Sequence, residues 1–140
     1  MFESELHRRY KHSKLLFLLG LLLLFSVIGM RQGLASSAEV WVGVVDDPIE
    51  GQMSAEFTNK PDKFTLHYGV PRSCRLECER ILDDGKQMIF RFSESSGGFC
   101  DSLYKGTMTI DKSDQDRWST RVEKKSTGFI EKFSLRKKLP

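Results

Sequence analysis

From Glu39 onward the apolar residues of this chain fall at every second position, in short runs separated by turn-forming residues. A period of two sends alternate side chains to opposite faces of an extended strand, so each run is a strand with one face to bury. Trp41, Gly43 and Val45 share one face of the first run, which Asp46-Asp47-Pro48 ends. Met53, Ala55 and Phe57 alternate next, up to a turn at Asn59-Lys60-Pro61-Asp62. Phe64, Leu66 and Tyr68 follow, closed by Gly69 and Pro71. Proline and glycine stand at the ends of runs, where a strand ladder can spare a donor.

Cys74 to Leu82 (CRLECERIL) accepts either a strand or a helical period. The tight-turn signal Asp83-Asp84-Gly85 and the alternating Met88, Phe90 and Phe92 behind it make a hairpin the economical reading. Ser93 to Gly98 (SESSGG) reads as a flexible loop. Tyr104, Gly106, Met108 and Ile110 then alternate as a strand, followed by Trp118, Thr120 and Val122, and last by Phe129, Glu131, Phe133 and Leu135. The expectation is an all-β fold: a small antiparallel meander of about eight strands, closed as a barrel or folded over as a sandwich, without a helix in the body.

Ahead of this body, residues 1–38 have a different character. Leu15 to Met30 is an uncharged apolar run of sixteen residues, preceded by Arg8, Arg9, Lys11 and Lys14 and followed by Arg31. Such a run is the core of a signal peptide or a membrane anchor helix, with the basic flank on the cytoplasmic side. Gly33-Leu34-Ala35 and Ser36-Ser37-Ala38 both offer small residues at the positions a signal peptidase reads. Against cleavage, the run is slightly long for a signal core and Arg31 intervenes; against retention, sixteen residues are slightly short for a spanning helix, which leaves cleavage narrowly ahead. Either outcome puts residues 39–140 outside the cytoplasm. If cleaved, the domain is periplasmic or secreted; if not, it is single-pass, with the membrane as its first partner through Leu15–Met30.

Charge follows the same division. The formal net charge of +3 resides entirely in the first 38 residues, and the remainder is neutral, so net charge lends no support to a nucleic-acid partner. Within the body the cations gather at the end: Arg117, Arg121, Lys124, Lys125, Lys132, Arg136, Lys137 and Lys138 stand against Glu123 and Glu131 alone. The expected arrangement sets these basic strands beside acidic earlier ones. The functional alternative is a basic face toward an anionic membrane or polyanion.

The body holds three cysteines, which in an oxidising compartment make one disulfide and one leftover thiol. Cys74 and Cys78 on one strand lie about 13 Å apart, too far to bond to each other. Cys100 is therefore the common partner, with Cys74–Cys100 expected and Cys78–Cys100 the alternative. A Cys₃His zinc site with His67 has suitable donors but poor spacing, in a compartment that favours oxidation. No metal or other cofactor is expected.

Catalytic signals are sparse. His67 is the one histidine of the body, and no serine occupies a nucleophile elbow. The carboxylate pairs Asp46-Asp47 and Asp83-Asp84 fall at turns, where aspartate accepts backbone hydrogen bonds. The loop Asp111 to Asp116 lacks the glycine and terminal glutamate of a calcium loop and reads as a solvated turn. The aromatic residues are the remaining candidates. Trp41, Phe64, Tyr68, Phe90, Tyr104 and Trp118 are expected to face inward, either as core or as the lining of an apolar ligand cavity. Trp41-Val42-Gly43 resembles the Gly-x-Trp of lipocalin-like barrels in reversed order, and no residue assignment transfers with it.

These readings describe an extracytoplasmic, non-enzymatic binding or interaction module of the cell envelope, with an envelope protein as a candidate partner. The alternative is a lipocalin-like barrel for a small apolar ligand.

Overall fold

The computed structural model describes residues 37–139, so the signal or anchor segment lies outside the described residues. Eight strands run in chain order: β1 (Glu39–Asp47), β2 (Gly51–Asn59), β3 (Phe64–Tyr68), β4 (Cys74–Asp83), β5 (Gln87–Ser95), β6 (Thr107–Asp111), β7 (Arg117–Lys124) and β8 (Phe129–Lys137). Each pairs antiparallel with the next, and β8 returns to β1, closing the sheet as a barrel. Barrel, not sandwich, is the outcome. Closure runs from Trp41 opposite Lys137 to Val44 opposite Ser134. Gly43 lies within that seam, where a Cβ would run into the carbonyl oxygen of Ser134, so a residue without a side chain lets β8 dock.

The alternation does what it predicts. Trp41, Val45, Met53, Ala55, Phe57, Leu66, Tyr68, Met88, Phe90, Phe92, Met108, Ile110, Val122 and Leu135 all point inward and are buried. An eight-stranded barrel has an interior that side chains can just fill or that can hold one small ligand. Here Phe57 and Phe64 both pack on Phe90, with ring centroids 5.3 and 5.1 Å apart. Strand alternation would put Arg80 and Leu82 on the same side as the buried Cys74, Leu76 and Cys78, but both are exposed. The register between β4 and β5 slips after Glu77 and again after Arg80, and each slip re-aims the residues beyond it.

A second departure lies between β5 and β6. Phe99–Leu103 forms one short helix, α1, where no helix was expected. Gly97 and Gly98 enter it with φ of 105° and 63°, a conformation that glycine adopts without steric cost. The helix puts Leu103 inside and leaves Tyr104 on the surface, 42% exposed, so Tyr104 does not belong to the interior set. The strand resumes at Thr107. At Gly106 a Cβ would lie 2.7 Å from the Leu103 carbonyl oxygen and 2.8 Å from that of Glu123, so glycine lets the chain turn back into the wall.

The barrel therefore has two unlike ends. The β1–β2, β3–β4, β5–β6 and β7–β8 connections, with α1, form the upper end. The three remaining connections and the start of β1 form the lower end. There Trp41 and Trp118 stack with centroids 3.4 Å apart and planes within 15° of parallel.

Candidate functional site at the upper rim

The upper end is built around Arg72, which sits in the β3–β4 turn and whose side chain is 1% exposed. A guanidinium removed from water needs its donors matched and its charge offset. Three carboxylates do this. Arg72 Nε donates to Glu50 Oε2 at 2.6 Å, Nη1 to Glu131 Oε1 at 2.7 Å, and Nη2 to Asp47 Oδ2 at 2.9 Å. Its flat faces are covered by aromatic rings, with Phe99 of α1 3.7 Å away and Tyr68 5.1 Å away, in the range of cation–π attraction.

Each partner holds a second piece of the rim. Asp47 Oδ1 accepts the backbone N–H groups of Ile49 and Glu50, both at 2.8 Å, so one carboxylate shapes the β1–β2 turn and ties it to Arg72. Those two backbone bonds, with the guanidinium beside them, hold the Asp47 carboxyl below its ordinary range. Glu131 accepts the Tyr68 hydroxyl on its other oxygen at 2.8 Å. Burial and the neighbouring Glu131 charge push the Tyr68 phenol well above its ordinary value, so it stays protonated as a donor. Burial works against the charge on Arg72, but the bonds it donates to Glu50 and Glu131 outweigh it and raise the guanidinium further.

The disulfide adds a covalent tie at the same end. Cys74, at the top of β4, is bonded to Cys100 in α1 with Cα atoms 5.9 Å apart. The bond points to an oxidising compartment outside the cytoplasm. Among the described residues no helix is long and apolar enough to cross a membrane. Cys78 is the free, buried thiol, and burial pushes it up to about 12. His67 faces outward on β3 while the three cysteines face in, so the sheet itself separates this histidine from them.

Of the expected cavity residues, Trp41, Phe64, Tyr68, Phe90 and Trp118 share the interior and Tyr104 does not. Two polar atoms inside lack hydrogen-bond partners among the described residues, Trp41 Nε1 and Thr120 Oγ1. The aspartates expected at turns serve there: Asp84 accepts from Lys86 and Gln87, Asp111 from Ser113, and Asp114 from Asp116 and Arg117.

The charge expectation holds at the lower end and fails along the wall. Lys137 pairs with Glu39 and Lys138 with Glu56. Across β7 and β8, however, Arg117 stands directly opposite Arg136, and Arg121 opposite Lys132. The chain order of a meander makes the two basic strands neighbours of each other.

Sequence reasoning did not find Arg72 or Glu50. A signal existed at Glu131, a carboxylate in the inward phase of β8, which a core accepts only with a cation. Arg72 lies 59 residues earlier, in a turn, and nothing local marks it as that cation.

The residues together define a closed, eight-stranded antiparallel barrel whose upper end is tied by an arginine–carboxylate cluster and a disulfide. Comparison with protein-family models, with curated proteins and with solved structures finds no match to this chain.

Proposed function

We propose that the protein is a non-enzymatic binding module of the cell envelope that meets its partner at the upper rim. The observation that carries this reading is the pair of loops fixed by Arg72. Ile49 tips the β1–β2 turn at 93% exposure, and Val70 tips the β3–β4 turn at 78%. Ordering loops costs conformational entropy, and Arg72 with Asp47 and Glu50 meets that cost before any partner arrives. All three guanidinium nitrogens are engaged within the cluster, which suits a scaffold better than a reactive centre. The targeting segment and the disulfide support an extracytoplasmic setting, with an envelope protein as the partner.

A photo-crosslinking residue at position 49 of the full chain, expressed in its host, tests the reading. The expected result is one envelope-protein adduct that Val70→Asp abolishes while thermal stability stays within about 0.5 kcal/mol. Absence of an adduct, or one indifferent to Val70→Asp, overturns it.

A second reading is a barrel that holds a small ligand, lipocalin-like in function. Trp41 Nε1 and Thr120 Oγ1 favour it, since an apolar molecule carrying one polar group would satisfy buried atoms that otherwise cost about 1–3 kcal/mol each. Native mass spectrometry of protein purified from its host separates the two, because only this reading expects a co-purifying small molecule.

A further inference from the structure

We infer that the outer face of β7, β8 and β1 is a second contact surface, and that its occupant is the anionic headgroup layer of a membrane. On the exposed side of the wall, Arg117 opposes Arg136 and Arg121 opposes Lys132, with Ser119 opposite Ser134 between them. Like charges directly opposite each other across a sheet repel. Two such pairs stacked on one face, about 13 Å apart along the strands, work against the fold unless something anionic covers them. Arg117, Lys132 and Arg136 make no ion pair among the described residues. Arg121 is held by Glu123 at 2.9 Å. Of the carboxylates that border the face, Asp111 on β6 accepts the Ser113 backbone N–H, and Glu56 on β2, opposite Val42, pairs with Lys138.

Apolar residues complete the face. β1 presents Val42 beside Arg136 and Val44 beside Ser134 on the same outer surface, and Val44 is 57% exposed. Ile130, two residues before Lys132 on β8, is 55% exposed. Cations interleaved with aliphatics fit an anionic lipid surface, which attracts the charges and accepts the side chains at the headgroup boundary. Because the barrel is closed, β7 and β8 have no free edge to add a partner strand, and the contact is made by side chains alone.

The inference rests on the extracytoplasmic reading of residues 1–38. If Leu15–Met30 is retained in a bilayer, the chain is already held at a membrane.

The test uses the full chain with Ser119→Cys carrying a polarity-sensitive fluorophore; Cys78 is buried. The labelled chain is reconstituted with vesicles of phosphatidylcholine alone or with about a third phosphatidylglycerol. The expected result is a rise of about twofold in emission on the anionic vesicles, removed by high salt and by Arg117→Gln/Arg136→Gln. The same label at His67→Cys, four strands round the barrel, stays unchanged. Emission indifferent to lipid charge, or a response that survives the double substitution, overturns the proposal. So does a label that responds to soluble dextran sulfate but not to anionic vesicles, which assigns the face to a polyanion. Flotation on neutral vesicles scores the N-terminal segment separately. A chain that fails to float yet responds at Ser119→Cys disproves the anchor and keeps the face.

Discussion

The two ends of this barrel are closed by opposite kinds of chemistry. The lower end is sealed by packing, with Trp118 stacked on Trp41 and both nearly buried. The upper end is held by directional bonds: one guanidinium to three carboxylates, a phenol to one of them, and a disulfide to α1. Packing is lost only when the whole core opens, whereas a bond network can be cut one member at a time. The upper end is therefore where this fold can hold loops in a set conformation without enlarging its core.

The packed lower end depends most on its tryptophans. Trp118→Ala is expected to lower global stability by about 4 kcal/mol, through lost contact and the cavity left behind. Denaturant unfolding should move as one transition, and amides at both ends should report the same loss. If only the lower strand ends respond, the stack is a local cap and the contrast fails.

Removing the disulfide comes next. Cys74→Ala/Cys100→Ala releases a 26-residue separation, for which loop entropy gives roughly 3.5 kcal/mol. The midpoint of denaturation measures it, and an unchanged midpoint would mean that Arg72 alone fixes α1.

Arg72→Met leaves Glu131 facing the interior without a cation, at a cost of about 3 kcal/mol. Here the pattern matters more than the size. Amide hydrogen exchange at Ile49, Glu50 and Ser73 should quicken ahead of the centre of β5. Equal acceleration everywhere would show that the cluster stabilises the barrel as a whole and orders no loop.

The bonded upper end and the packed interior also respond to pH in opposite ranges. Asp47 titrates below its ordinary 3.8 in the folded protein, so its contribution is complete above that value and fades as the pH falls below it. Exchange at Ile49 and Glu50 should rise there first. Cys78 is the reverse case, a buried acid held neutral, raised from 9.0 to about 12. Unfolded chains lose this proton first, so stability falls as the pH climbs from 9 toward 12. Cys78→Ala should flatten that decline, and at pH 8 the native thiol should resist alkylating reagents.

Much of this molecule is written in short-range pattern, and the rest is not. Alternation along Met53 to Phe57 or Met88 to Phe92 is a property of neighbouring residues, so strand positions and inward faces were legible directly. The pairing of Cys74 with Cys100 followed as one of two options, because strand geometry forbids bonding between Cys74 and Cys78. Where glycines could restart the phase, legibility ended. Gly97-Gly98 permit α1, and Tyr104 left the interior for that reason.

Short-range pattern, then, specified an antiparallel β body, most of its buried residues and the likeness of its cysteines to a secreted protein's. Closure into a barrel was decided by β8 meeting β1 across Gly43, a contact between opposite ends of the domain. Only that closure and the strand register brought Arg72 to Glu131, and Arg117 to Arg136. The physical reason is common to both. A hydrophobic period acts between neighbours, while a charge is sorted by whichever distant residue the register sets beside it.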